Sequence, residues 1–248
     1  MFCIVESVSN FPQNFIVATS SVTNGNMSFR YGEKSEVLTS RKAFLNSLGL
    51  NYDNCVSMRS EHENIIRVVT NDQVGRGATD RTEAIQADAL ITQEINAPLL
   101  LTTADCLPIS LFDPKTNTIA LIHLSRHTFV LDLLEKTLTL LVQEFGAHPE
   151  DLVVIIGPHI KKDSYHFPEP LTSVHPKLAA YIYSKDERAH IDLLSATLAV
   201  LHKNNVAQNR IEVSPVNTHS DLNYFSHVRA SEQGEPEGRL ATVLCLTS

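Results

Sequence analysis

With 248 residues, of which 43% are apolar, the chain is long enough to bury a sizeable core in one large domain or two small ones. Its amino-terminal stretch has neither a basic start nor a signal-like apolar core, and no apolar run reaches the roughly 18 residues of a membrane span, so we expect a cytoplasmic protein. The net charge of −8 gives no general attraction for nucleic acid or an anionic membrane. Four scattered cysteines without a CxxC pair favour reduced thiols.

The spacing of apolar residues predicts several short strands and three helices. The clearest helix covers residues 130–145, where apolar side chains recur at helical spacing and Gly146 ends the pattern. Helices and strands mix without strict βαβ alternation, so we predict an α+β fold in which residues 1–248 form a single domain with mixed β-sheets covered by helices. The other predicted elements are a strand at 15–19, a helix at 35–48, a hairpin or bent strand within 54–69, a loop at 70–82, strands at 152–156, 211–216 and 239–246, and a helix that begins at Asp192.

The centre of the chain is a pair of apolar strands that carries two reactive side chains. The strands cover residues 99–112, with a break near Asp105, and 118–124, and turn formers at 113–117 join them. This arrangement brings Cys106 and His123 to neighbouring strands. Because free cysteine is among the most buried residue types, the pair belongs either to the core or to a site, and the strand pattern leaves both open.

His62 could join Cys106 and His123 as the third ligand of a transition-metal site. Two imidazoles and a thiolate would leave a fourth position for water or substrate, as in catalytic zinc sites. This donor set suits zinc better than magnesium or calcium. His62 lies 44 residues before Cys106 and no short metal motif links them, so spacing alone does not establish the site.

Three short motifs follow one another through the middle of the chain. They are Thr103-Ala104-Asp105-Cys106-Leu107-Pro108, a segment that begins at His123, and Gly157-Pro158-His159-Ile160. Their order resembles the laccase-domain family, once called the multicopper polyphenol oxidases, whose members carry T-A-D-C-L-P, H-A-G-W-R-G and G-P-x-I. Further matches are Arg41 at the family's N-R, residues 88–92 at its D-A-L-x-T, Phe225-Ser226 and Arg229 at its F-S-Y-R-R-D-G, and Gly238-Arg239 at its G-R.

The resemblance implies a cytosolic α+β protein that holds a zinc ion on His62, Cys106 and His123, with copper the less favoured metal. Family members are described as enzymes that catalyse phosphorolysis of adenosine, inosine, guanosine and methylthioadenosine, and deamination of adenosine at the same site. The implied partners are a purine nucleoside and phosphate, without nucleic acid or membrane. We expect a monomer or a weak homo-oligomer.

The resemblance also suggests roles for individual residues. Cys106 and His123 would serve catalysis at the metal, and Arg41 would hold phosphate with its guanidinium fork. Arg126 and Arg229 would bind substrate.

Deamination needs a further group. Zinc-activated water could attack C6 of adenine if a neighbouring carboxylate carried protons, and Asp105, Glu61 and Glu63 are the nearest candidates in sequence. His127 and His219 lie beside family motifs and are further candidates, whereas His159 and His166 fit surface or packing positions.

The chain departs from the family pattern around the expected ligands. Residues 123–128 read H-L-S-R-H-T instead of H-A-G-W-R-G, and residues 60–63 read S-E-H-E instead of Q-V-H-G. Residues 20–23 stand where the family has G-G-V-S, and Asn217-Thr218 stands where it has C-T. Residues 232–237 are extra residues compared with the family pattern. Lost glycines predict altered loop shapes, because glycine permits positive φ and close approach to a ligand. The pattern favours a metal-binding protein with changed or weakened specificity.

Three other functions fit parts of the sequence. A cysteine hydrolase would need only Cys106 as nucleophile and His123 as base, without His62. A copper phenol oxidase would need more metal ligands than this single set provides. A non-catalytic protein that binds nucleosides or cell-wall fragments would explain the altered H-A-G-W-R-G segment.

Overall fold

The structure is a computed structural model that describes residues 3–4, 14–167 and 175–248. Its helices over these residues are α1 Lys34–Ser47, α2 Arg126–Val130, α3 Leu133–Phe145, α4 Leu193–Lys203 and α5 His227–Gln233. None of these helices combines the length and the apolar character that crossing a bilayer requires.

Two large mixed sheets form the framework. In spatial order the first sheet contains β1 Cys3–Ile4, β2 Phe15–Thr19, β15 Leu240–Leu246, β7 Leu99–Thr103, β3 Val56–Arg59 and β5 Ile85–Gln86. The second contains β14 Ile211–Val213, β10 Val153–Ile156, β8 Leu107–Asp113, β9 Thr118–Leu124, β6 Ala89–Thr92 and β4 Ile66–Val68. A third, small sheet contains β11 His166–Phe167, β13 Arg188–Ile191 and β12 Ile182–Lys185. Both large sheets combine parallel and antiparallel pairs.

Apolar side chains from both large sheets meet in a central core. Leu99 and Leu101 of β7 share this core with Phe112 of β8 and Leu121 of β9. Side chains of α1, such as Phe44, form a second cluster with the other face of the first sheet, and side chains of α3 and α4 form a third with the other face of the second sheet. Burying each large apolar side chain stabilises the fold by about 1.5–3 kcal/mol. The predicted α+β fold with mixed sheets covered by helices is confirmed.

The hairpin of β8 and β9 fixes the position of the central motif. Its register pairs Pro108 with His123, which places Cys106 at the entrance to β8 beside the end of β9. Every residue of both strands is buried, because the second sheet is covered on both faces. The turn is closed by the Asp113 carboxylate, which accepts the backbone N–H of Lys115 at 2.8 Å. The predicted turn and strand pair are confirmed.

Asp105 sits where the chain crosses from one large sheet to the other. β7 belongs to the first sheet and β8 to the second, and Asp105 between them has a φ of +83°. Its carboxylate accepts hydrogen bonds from the hydroxyls of Thr218 (2.7 Å) and Ser226 (3.0 Å) and from the N–H of Val228 (2.8 Å). This buried carboxylate therefore ties the sheet crossover to the segment that leads into α5.

Two predicted elements differ from the structure. The single helix expected over 130–145 is divided, because Asp132 adopts φ +64° and separates α2 from α3. The hairpin or bent strand expected within 54–69 is instead two strands in different sheets, since β3 pairs with β5 and β7 whereas β4 pairs with β6. Both differences arise at residues with positive φ, including His62 and Asn64, which apolar periodicity does not reveal.

Replacing Asp105 with alanine should lower the free energy of unfolding by about 3 kcal/mol or more. The substitution leaves two buried hydroxyls and a partly buried backbone N–H without their acceptor, and it places alanine, which adopts positive φ less readily than aspartate, at this position. Urea unfolding followed by circular dichroism measures the change. Asp105→Asn is the matched control and should lose less, because asparagine tolerates positive φ and keeps one acceptor oxygen. Equal unfolding midpoints for Asp105→Ala and the unaltered chain would show that the hydrogen bonds of the Asp105 carboxylate do not stabilise the fold.

Candidate metal centre

His62, Cys106 and His123 converge at one end of the β8–β9 hairpin. The potential ligand atoms of the three side chains all lie within 4.8 Å of one another. His123 ends up buried near the last residue of β9, Cys106 is partly buried, and His62 is exposed on the bend that follows β3. The rings of His62 and His123 meet edge to face with centroids 4.9 Å apart. The fold thus brings together residues that lie on three separate segments.

A buried carboxylate, Asp88, supports this group from behind. Asp88 is fully buried just before β6, and its oxygens accept the backbone N–H groups of His62 at 3.0 Å and Glu63 at 2.8 Å. The Ser60 hydroxyl contacts both Asp88 and Nδ1 of His123, and Asp88 lies 3.7 Å from that same Nδ1. Because Nδ1 is engaged by these groups, Nε2 of His123 is left for coordination. The carboxylate also holds the His62 bend in its left-handed conformation.

The side chains of this site shift one another's pKa values toward the charged forms. Burial alone would raise the pKa of Cys106, but His123 and His62 lower it to about 6. Burial would likewise lower the pKa of His123, but the Cys106 thiolate and Asp88 raise it to about 9. Burial opposes ionisation of Asp88 too, yet His123, Ser60 and the two backbone N–H donors hold its pKa well below its usual range. The two histidines therefore favour the thiolate form of Cys106, which is the form that binds metal ions.

This donor set could bind a transition-metal ion. A thiolate and imidazoles are the ligands that such ions prefer over oxygen-seeking magnesium or calcium. Ligand histidines in proteins almost always pass their second ring N–H to a carboxylate, carbonyl or water. Here the Ser60 hydroxyl contacts Nδ1 of His123 and the Asp88 carboxylate, so the carboxylate reaches the ring through that hydroxyl. The observations therefore fit a three-ligand centre with one side open.

The open side faces a cavity of about 740 Å³ to which His62, Cys106 and His123 all contribute. Among the residues that the structure describes, its lining includes six arginines but no lysine and no acidic side chain. This positive lining contrasts with the net charge of −8 for the whole chain. Guanidinium groups match the geometry of phosphate and carboxylate better than ammonium groups do. The six are Arg30, Arg41, Arg59, Arg81, Arg126 and Arg239.

Arg41 and Arg126, both expected from the sequence to bind substrate, line this cavity. Arg41 on α1 is only 3% exposed; its Nε donates to the Met27 carbonyl at 2.8 Å, and its guanidinium stacks on Phe29 with Cζ 4.3 Å from the ring centre. Burial lowers the pKa of Arg41. Arg126 is the first residue of α2, directly after the N-cap Ser125. Arg41 is therefore fixed within the wall, whereas Arg126 is carried at a helix start.

Asp105 and Arg229, also expected at the site, do not appear among the described residues of the cavity lining. The carboxylate of Asp105 accepts the hydrogen bonds that tie the crossover between the two large sheets to the segment before α5. Arg229 donates to the carbonyls of Thr218 (2.8 Å), His219 (3.0 Å) and Tyr224 (2.8 Å) and pairs with Glu235. The polar atoms of both side chains are thus engaged in hydrogen bonds inside the protein.

Of the other residues suggested by the sequence, His127 lines the cavity, whereas the two glutamates and His219 are not part of its described lining. His127 lines the cavity, and its ring centre lies 6.2 Å from that of His62. Glu61 pairs with Arg59 at 3.3 Å, and His219 pairs with Glu232 at 3.0 Å. Neither Glu61, Glu63 nor His219 belongs to the described lining. The carboxylates nearest in sequence therefore do not supply an acid or base at the cavity wall.

Sequence reasoning missed Asp88 as a partner of the site and four of the six arginines. Asp88 begins the D-A-L-x-T match, but nothing in that motif shows that its carboxylate points toward His123. Arg30, Arg59, Arg81 and Arg239 come from four distant segments. Only the tertiary structure brings them together, so a local pattern could not have identified them.

The chain is similar to known proteins over most of its length. A purine nucleoside phosphorylase of Bacteroides thetaiotaomicron is 28% identical over 72% of this chain and 68% of its own, and the purine nucleoside phosphorylase YlmD of Bacillus subtilis is 25% identical over 86% and 78%. The crystal structure of YlmD from Geobacillus stearothermophilus superposes with a TM-score of 0.87 at 23% identity, covering 95% of this chain and 93% of that one. The model of the family described as multi-copper polyphenol oxidoreductase laccase matches residues 13–247, so the chain belongs to that family.

Proposed function

We propose that this chain is a zinc-dependent purine nucleoside phosphorylase, acting on adenosine, inosine, guanosine and methylthioadenosine. The observation that carries the proposal is the His62–Cys106–His123 group opening into an arginine-lined cavity. Names of the curated relatives support it, since several are called purine nucleoside phosphorylase.

His62, Cys106 and His123 would hold the metal, and their donor atoms favour zinc. A bound zinc ion supplies a Lewis acid at the cavity wall. Copper is the less favoured metal, because one mononuclear set does not provide the several sites that multicopper oxidation requires. Asp88 and Ser60 orient His123 in this proposal.

In phosphorolysis an oxygen of phosphate forms a bond to C1′ of the ribose while the C1′–N9 bond breaks and its electron pair leaves with the purine. The protein has to hold the phosphate dianion against C1′, which is a task of positioning and electrostatics. Arg126 at the start of α2 and Arg41 in the wall are the groups that we assign to this phosphate. The absence of carboxylates from the described lining supports the assignment, because no acidic side chain there repels the anion.

Adenosine deamination is a second proposed activity of the same site. It needs a group that moves protons between water, N1 and the amino group of adenine. His127 is the side chain at the described cavity wall that suits this role, because none of the carboxylates considered from sequence lines the cavity. We therefore rank deamination below phosphorolysis.

The Cys–His hydrolase remains the principal competitor, because His123 and His62 lower the pKa of the Cys106 thiol and so favour its nucleophilic form. That reaction would not require His62 or metal, and the experiment that follows separates the two functions.

Substitution of His62 or Cys106 by alanine should remove both the metal and nucleoside turnover. The unaltered chain should contain close to one zinc per chain by elemental mass spectrometry and release hypoxanthine from inosine only when phosphate is present. His202→Ala, an exposed histidine near the end of α4, is the control and should keep metal and activity. Full metal content in both His62→Ala and Cys106→Ala would exclude the assigned ligands, and turnover without metal would favour the hydrolase.

Asp88→Asn should weaken metal binding by about 10- to 100-fold, as loss of a carboxylate partner of a ligand histidine does elsewhere. Asparagine keeps the size of the side chain but cannot accept from all the donors that Asp88 serves. Competition with a chromophoric chelator measures the affinity. Asp72→Asn, an exposed change away from the site, controls for the loss of a negative charge. Unchanged affinity in Asp88→Asn would contradict the supporting role.

Arg126→Ala should raise the KM for phosphate by about tenfold or more and change the KM for inosine much less, since a charge-assisted contact to phosphate is lost. Initial-rate kinetics with each substrate varied in turn measure both constants. Arg67→Ala, on the edge strand β4, removes an exposed guanidinium that does not line the cavity and should change neither. A phosphate KM that stays the same in Arg126→Ala would argue against this residue as the phosphate ligand.

A further inference from the structure

The cavity wall carries a second cationic group that the proposed reaction does not use. We call Arg30, Tyr31, His227 and Arg239 the Tyr31 patch; all four line the cavity. The Tyr31 hydroxyl accepts from Nη2 of Arg239 at 3.0 Å, and Cζ of Arg239 lies 4.2 Å from the centre of the Tyr31 ring. Cζ of Arg30 lies 5.4 Å from the same ring centre. Two guanidinium groups are thereby gathered around one aromatic side chain.

One carboxylate organises the rest of the patch. Glu237 accepts from Nη1 of Arg239 at 2.6 Å through one oxygen, and its other oxygen lies 2.6 Å from Nδ1 of His227. Because Glu237 engages Nδ1, the free nitrogen of His227 is Nε2. Arg239 is also restrained by the carbonyl of Gly238 at 2.7 Å. The patch is therefore positioned in advance.

The charge of the patch is not balanced by the groups that hold it. The patch contains two guanidinium groups, of which Arg239 pairs with the carboxylate of Glu237, and the described cavity lining contains no acidic side chain. Arg30 forms no ion pair with any residue that the structure describes. A neutral purine nucleoside would bring no anion to this wall. An arginine pair on an aromatic ring instead matches the bidentate recognition of a phosphoryl group.

We propose that the Tyr31 patch is a subsite for the 5′-phosphoryl group of a nucleoside 5′-monophosphate, so that the cavity binds purine nucleotides more tightly than nucleosides. The cavity volume of about 740 Å³ lies within the range of pockets that enclose ligands larger than a nucleoside. The purine nucleoside half of this ligand rests on the proposed function. The phosphoryl half rests on the patch alone.

The test measures binding without turnover. Titration calorimetry in phosphate-free buffer compares inosine, inosine 5′-monophosphate and inorganic phosphate on the metal-loaded protein. The nucleotide should bind at least about tenfold more tightly than inosine. Arg30→Gln should remove most of that advantage while the Kd for inosine stays within about twofold. Arg67→Gln is the matched control and should behave as the unaltered chain does.

Three outcomes would overturn the subsite. The first is equal affinity for inosine and inosine 5′-monophosphate. The second is a tighter binding of the nucleotide than of inosine that persists in both Arg30→Gln and Arg239→Gln. The third is Arg30-dependent binding of free phosphate in a protein that binds the nucleotide no more tightly than inosine. The last would identify the patch as a site for the inorganic co-substrate. Nucleotide binding that depends on Arg30 in a protein that phosphorolyses nothing would support the subsite and refute the phosphorylase. Failure of both inosine and nucleotide to bind would refute both.

Discussion

The candidate metal centre depends on the interactions of the buried Asp88 carboxylate. This carboxylate accepts backbone N–H groups at the His62 bend and reaches Nδ1 of His123 through the Ser60 hydroxyl, so it sets the position of one potential ligand and the orientation of another. A carboxylate that is fully buried costs free energy unless donors compensate it. Here the donors that compensate it are parts of the centre itself. The stability of the fold and the geometry of the site are therefore coupled at a single side chain.

The altered loop after His123 illustrates how the chain has rebuilt a family motif. Where glycines would allow an open loop, the Ser125 hydroxyl accepts the N–H of Thr128 at 3.1 Å and starts helix α2. This capping presents Arg126 and His127 to the cavity from a helical turn. In this chain the residues that stand where the family pattern has H-A-G-W-R-G therefore form a capped helical turn, which follows His123 near the end of β9.

Much of the framework could be predicted from sequence because it is encoded locally. Apolar strands and turn formers predicted that Cys106 and His123 lie near each other on neighbouring strands, and helical spacing located α3 and α4. Conformations at positive φ could not be read from periodicity, so the division at Asp132 was missed. Side-chain direction was equally inaccessible. Arg229 matches a family motif as well as Arg41 does, and both guanidinium groups donate to internal carbonyls, but Arg41 lines the cavity and Arg229 is not part of its described lining.

The position of β15 has a consequence for how the molecule is made. This strand lies between β2 and β7, pairing Leu246 with Phe15 and Leu240 with Thr103. During synthesis the ribosome releases β2 and β7 long before β15, and the two strands have no partner in common until it arrives. His62, Cys106 and His123 all precede β15 in the chain. Completion of the first sheet is therefore a late event in synthesis, which follows the appearance of all three side chains of the candidate metal centre.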